Sequence, residues 1–402
     1  MPAANEYRNV AILFGSQAMH ISSQIVLFTL AGLVGQMLAE DKAFATLPVS
    51  AIIVATAMTT IPASLLMKRI GRRAGFMIGS TTGLGGVLIA SYAVWSSSFW
   101  LFVLGTFVVG INGGFAQYYR FAAADAASRE FRPRAISYVI AGGIAAAFIG
   151  PQLVRWTNDL LPVPFLGSVL SLSGLVLVSL ILLSQLSIPK LSDEEIRASG
   201  RPLFKITSNP TFIVSVLSGM VGYGSMSMLM TATPIAMVGC GFNVTQSAGV
   251  IQWHVLGMFG PALFTGHLIH RFGVLPIIFS GLVLLMACIA VALAGIDIMN
   301  FTIALIALGL GWNFTFVGAS SLLTETYHPA ERAKVQATND FLVFGTAALG
   351  SLSAGAMLDA YDWNTVNLFA LPLIMLTALV TAWYALTHHR KQRQLAEAEE
   401  TA

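Results

Sequence analysis

Charge is what this sequence lacks. Only 10% of its 402 residues are Asp, Glu, Lys or Arg, against roughly a quarter in a soluble domain, while 56% are hydrophobic. An ordinary water-soluble fold is thereby excluded. Cysteine is almost absent too: Cys240, in an expected loop, and Cys288, in an apolar run, provide no disulfide framework. Nor is there a nucleophile–base constellation, phosphate loop or zinc-type spacing outside the apolar runs, so no enzyme is expected. Basic residues are confined to short loops beside those runs, where lipid headgroups rather than nucleic acid are the expected partners.

What is present is a series of long apolar runs. A membrane-spanning helix needs about 20 mostly apolar residues, and twelve such runs fit between breaks of charge, Gly and Pro, at about 9–37, 45–67, 75–95, 99–124, 135–155, 163–186, 211–236, 246–269, 274–294, 300–322, 335–358 and 365–387. The expected fold is an all-α polytopic membrane protein. The first run is too long, and too poor in preceding basic residues, for a cleaved signal peptide, and it reads as a retained helix. Lys68, Arg69, Arg72 and Arg73, then Arg129, Arg132 and Arg134, and later Arg271, Arg332 and Lys334 fall in loops on one side, against only Lys42 and Arg155 on the other. The positive-inside rule puts that side, and both termini, in the cytoplasm.

The chain also repeats itself. Arg69-Ile70-Gly71 follows the second run and Arg271-Phe272-Gly273 the eighth, 202 positions further on. Arg134-Ala135 after the fourth run has its counterpart in Arg332-Ala333 after the tenth. Two parallel six-helix units follow, as residues 1–187 and 211–387, joined by a polar linker at 188–210 that contains a candidate helix start at Ser192-Asp193-Glu194-Glu195. Residues 388–402 form a tail expected to be a frayed helix end or disordered. Gly142-Gly143 and Gly150-Pro151 mark the fifth helix as kinked and close-packed.

Twelve spans in two halves, with basic loops after the second and eighth, resemble the major facilitator superfamily over essentially the whole chain. The family's loop pattern G-x-L-A-D-R-x-G-R-R is matched at Arg69, Gly71, Arg72 and Arg73, but its first Gly is Ser64 and its Asp is Lys68. A carboxylate there would accept hydrogen bonds from helix N-termini, and Lys68 cannot. The resemblance implies a transporter working by alternating access with its site near mid-membrane, and leaves the substrate open.

One stretch offers a substrate. Met226 and Met230 in the seventh helix are four residues apart, as are His254 and Met258 in the eighth, so each pair lies on one helical face. Counted from the outer boundary the pairs lie at similar depth, roughly 10–18 Å at 1.5 Å per residue. Methionine is also a flexible filler of apolar helices, and Met-x-x-x-Met alone reads as packing. An intramembrane imidazole is costly and usually functional, so His254 tips the reading toward a metal site. Three thioethers and a neutral imidazole suit a soft, monovalent ion, Cu(I).

The paired motifs look like those of the CcoA-type copper importers, a branch of the same superfamily. That resemblance assigns copper ligation to Met226, Met230, His254 and Met258. It implies a monomer in the bacterial inner membrane with copper ion as transported substrate, no permanently bound cofactor, and a role in supplying cbb-type haem–copper oxidase assembly. A periplasmic copper donor and a cytoplasmic acceptor are implied partners, neither identifiable from sequence. Met237 and Cys240 are candidates for an accessory metal relay; His20, Gln24, Arg120, Trp312, Asn313 and Asn339 are candidates to line a cavity. Arg120 can pair with Asp125 or Asp340, stack on an aromatic ring or hold an anion. Relatives associated with riboflavin uptake supply the alternative: an aromatic solute held by groups such as Trp312, Asn313 and Asn339. A membrane assembly factor or metal sensor is a weaker third reading, since the short linker and tail offer no partner domain.

Overall fold

The computed structural model describes residues 2–41, 44, 47–157, 160–188, 200–242 and 244–400. Lys42, most of the linker and its candidate helix start at Ser192 lie outside the described residues. Among them every regular element is helical: α1 (Pro2–Leu38), α2 (Leu47–Ile70), α3 (Arg72–Trp95), α4 (Phe99–Ala116), α5 (Tyr119–Asp125), α6 (Arg132–Thr157), α7 (Leu166–Ser184), α8 (Leu203–Thr207), α9 (Pro210–Gly239), α10 (Val244–Phe259), α11 (Ala262–Phe272), α12 (Val274–Ala294), α13 (Ile298–Leu323), α14 (Arg332–Ala360) and α15 (Trp363–Glu400). A helix satisfies its own backbone hydrogen bonds, which lipid cannot do for it. The outward faces are apolar to match; Leu352 and Leu379, for example, are each 67% exposed.

Ten of these segments are long and apolar enough to cross a membrane. The other two expected spans are present as helices of different character. The eighth is divided into α10 and α11 at Gly260-Pro261, where proline supplies no N–H to continue the ladder. The eleventh, α14, begins with two and a half polar turns that include Arg332, Lys334, Gln336, Asn339 and Asp340. The fourth span is likewise two helices, with Gln117 and Tyr118 between α4 and α5. α15 runs on into the tail as far as Glu400, because nothing after Pro372 breaks a helix and residues 390–400 are mostly strong helix formers.

Contacts divide the chain into two compact units, residues 1–200 with 328–341, and residues 201–327 with 342–402. In the first, α3 packs on α4 and α7, α2 on α4, and α1 on α6 and α7. Val26, Leu27, Ile52, Val87, Val109 and Leu172 form its apolar core. The small residues expected to draw α6 close do so: a Cβ on Gly142 would stand 2.7 Å from the Phe14 carbonyl and one on Gly150 2.9 Å from the Ile25 side chain. Within a bilayer, where apolar burial does not drive helices together, such close approach supplies the packing attraction. In the second unit the same scheme recurs, with α12 on α13 and α15, α10 on α13, and α9 on α15. Asn209 starts α9, its side chain accepting the Thr211 N–H at 2.9 Å with Pro210 in the first turn.

The sequence repeat has a conformational counterpart. Gly71, before α3, has φ 89° and ψ 161°; Gly273, before α12, has φ 88° and ψ 162°. Only glycine takes up that conformation without strain. Gly273→Ala is expected to cost about 1–3 kcal/mol through backbone strain alone, since the nearest atom to its new Cβ would be Pro276 Cδ at 3.8 Å. Gly85→Ala, inside α3 with nothing within 4 Å, is expected to be neutral or stabilising. Thermal unfolding of the two variants in detergent checks the contrast.

Candidate functional site

In the second unit, the polar residues placed by the sequence serve different ends. Asn313 is fully buried: its carbonyl oxygen accepts from the Thr265 hydroxyl at 2.6 Å, and its amide donates to the Met258 carbonyl at 2.6 Å. One side chain on α13 thus braces both halves of the divided span. The amide expected to face a solute is spent on structure.

His254 is buried, with Nδ1 2.8 Å from the Leu305 carbonyl on α13 and Nε2 without a protein partner. Gly309 allows this approach, as a Cβ there would stand 2.6 Å from the His254 carbonyl and 2.8 Å from the Met258 nitrogen. Both members of the α10 pair are therefore fastened to α13. On α9, Met226 and Met237 are buried and Met230 is partly exposed. Cys240, just after the helix, lines an open cleft of about 590 Å³ with Ile296, Tyr361 and Trp363. Among the described residues no three of His, Cys, Asp and Glu form a metal-holding group.

Trp312 has the most developed surroundings. Its ring stacks on Phe316, one turn along α13, at 5.1 Å and 18°, and meets Tyr223 of α9 at 5.5 Å and Phe259 of α10 at 5.7 Å edge to face. Tyr223 also meets Phe316 at 5.2 Å and Phe344 of α14 at 5.1 Å. The buried indole N–H has no protein partner. Such a group offers π faces and edges together with a lone donor, which a planar heteroaromatic solute with a carbonyl could use. Sequence reasoning found Trp312 but missed Tyr223, Phe259, Phe316 and Phe344; the Trp312/Phe316 spacing of four was the available signal.

In the first unit Arg120 does pair with Asp340, whose side chain is wholly buried. The guanidinium also donates to the Gln117 carbonyl at 2.7 Å and lies 4.4 Å from the Phe121 ring centre. Asn339 donates to the same Asp340 oxygen at 2.8 Å. The other candidate carboxylate, Asp125, is taken by Arg72 at 3.0 Å and Arg332 at 3.3 Å, and Arg72 reaches Gln336 as well. Arg72, in the loop pattern that carries Lys68 in place of its acid, thus finds its carboxylate in Asp125. On α1, His20 Nε2 and Gln24 Oε1 are buried one turn apart without protein partners.

The sequence profile of the Major Facilitator Superfamily matches residues 12–344 and 255–402. This chain belongs to that superfamily. It is 45% identical over 372 residues, 92% of this chain and 94% of the relative, to the riboflavin transporter RfnT of Brucella anthropi. It is 30% identical over 380 residues, 88% and 86% of the two chains, to YdeG, an uncharacterised MFS-type transporter of Bacillus subtilis. Among solved structures, the human organic anion transporter MFSD10 superimposes with a TM-score of 0.75 at 15% identity, over 94% of this chain and 99% of that one. The chain is thus a membrane transporter and not an enzyme.

The riboflavin-transporter relative overturns the copper reading. The likeness to CcoA-type importers, and with it oxidase assembly, is not supported. Met-x-x-x-Met and His-x-x-x-Met at matching depth are a short signal in a methionine-rich apolar chain, and one that helix packing also satisfies.

Asn313→Leu is expected to strand the Thr265 hydroxyl and the Met258 carbonyl and to lower stability by about 2–4 kcal/mol. Thermal unfolding measures the loss, and transport per folded molecule should fall less than the amount of folded protein.

Proposed function

We propose that this superfamily member takes up riboflavin into the bacterial cytoplasm by alternating access. The observation that carries this reading is the 45% identity, across nearly the full length of both chains, to a riboflavin transporter. The geometry around Trp312 supports it. An isoalloxazine ring is planar and carries carbonyl acceptors; the cluster of Trp312, Phe316, Tyr223, Phe259 and Phe344 presents aromatic surface beside one buried, unpartnered indole N–H. Small-solute sites combine apolar walls with a few placed polar groups in this way. The basic loops support an inner-membrane protein with both termini in the cytoplasm.

Expression of the wild-type chain is expected to let a riboflavin auxotroph without its own importer grow on micromolar riboflavin. Failure of that rescue with normal protein levels overturns the proposal. Trp312→Leu should raise the half-saturating riboflavin concentration about tenfold or more, as expected for loss of one stacked ring, and Trp312→Phe less. His254→Leu should have a much smaller effect on flavin affinity, since the imidazole is directed at the α13 backbone.

A further inference from the structure

Riboflavin is uncharged at neutral pH, so membrane potential does no work on it and its concentration inside the cell needs a coupled ion. A proton carried across the membrane needs a titratable group within it, and the structure supplies a carboxylate. Asp340 lies about 12 Å along α14 from Arg332 at 1.5 Å per residue, and its side chain has no exposure.

The form of its pairing is unusual for a purely structural ion pair, which is strongest when both oxygens are engaged. Here Arg120 and Asn339 both address Oδ1, and the buried Oδ2 has no hydrogen-bond partner within the protein. That oxygen is a place for a proton. Arg120, in turn, does not depend on Asp340 alone. It holds the Gln117 carbonyl and the face of Phe121, so neutralising the acid leaves the cation with partners.

The other groups facing Asp340 leave the proton to it. Arg72 acts on it from the start of α3 but is itself paired with Asp125. The Tyr118 hydroxyl, between α4 and α5, donates to the Thr60 carbonyl at 2.8 Å. Asn339 is neutral at any pH. Ionisable groups inside membranes mark proton and ion routes, and among the described residues Asp340 is the one carboxylate with no exposure.

We propose that Asp340 is the proton carrier of this transporter, taking up one proton on Oδ2 from one side of the membrane and releasing it to the other in each cycle, with Arg120 as its switching partner. Carboxylate and proton become carboxylic acid and then separate again; no bond of the solute changes. This rests on the transport of riboflavin proposed above.

The test uses purified full-length protein in liposomes. Wild type should exchange labelled riboflavin and, with a pH gradient acid outside, accumulate it about tenfold per pH unit for one proton per solute. Asp340→Asn, which imitates the protonated acid, should retain exchange within about threefold while its accumulation ratio falls to one. Gradient-driven accumulation by Asp340→Asn overturns the proposal, as does loss of gradient response in His20→Gln but not in Asp340→Asn. Loss of exchange together with accumulation, in an Asp340→Asn protein of unchanged thermal stability, also overturns it by giving Asp340 a binding or structural role.

Infrared difference spectroscopy of the protein without riboflavin separates this idea from the choice of solute. A carboxylic C=O band that titrates in wild type, disappears in Asp340→Asn and shifts in Asp340→Glu supports the carrier even if riboflavin is not transported. Absence of such a band in wild type rejects it. Asp340→Glu also keeps the test available should Asp340→Asn fail to fold.

Discussion

No water reaches the hydrocarbon core of a bilayer, so a polar group placed there has to find its partner within the protein. Nearly every functional feature of this chain follows from how that demand is met. Asn313 meets it twice, tying Thr265 and Met258 to α13 and so holding a span that Pro261 would otherwise leave broken. His254 meets it at one ring nitrogen, through the Leu305 carbonyl. Arg120 and Asp340 meet it by joining opposite charges, which alone in such a medium would each be far more costly.

Groups that leave the demand unmet are then informative. Among the described residues the Trp312 indole N–H and Asp340 Oδ2 are buried, yet lack protein partners. The first lies in an aromatic cluster suited to a planar solute. The second lies on a carboxylate already balanced by a guanidinium. The two groups are chemically different, aromatic in one unit and ionic in the other.

Much of the fold was legible from the chain. The twelve helical segments, the repeat marked by Gly71 and Gly273, and the close-packed glycines of α6 all follow from hydropathy and from residues whose backbone or size permits only a few environments. The site was less legible. Trp312 and the Arg120–Asp340 pairing were among the expectations, but the other four rings of the Trp312 cluster were not: Tyr223, Phe259 and Phe344 come from α9, α10 and α14, and Phe316 stands one turn along α13. A copper cage was inferred from two i, i+4 pairs, and chemistry at that level cannot separate ligands from packing. Asn313 was expected to meet a solute, yet it braces the Gly260-Pro261 break, a role visible only once α11 and α13 are side by side.

By itself the sequence determined the membrane, the helices, the internal repeat and the superfamily. Those depend on composition and on periodicity along one chain, and lipid enforces them strongly. Tertiary structure decided which buried polar atoms are satisfied and which are not: that His254 turns to α13, that Asp125 goes to Arg72 and Arg332, and that Asp340 keeps one oxygen open beside Arg120. Hydrogen bonds act over about 3 Å, and residues that distance apart in space stand tens to hundreds of positions apart in the chain.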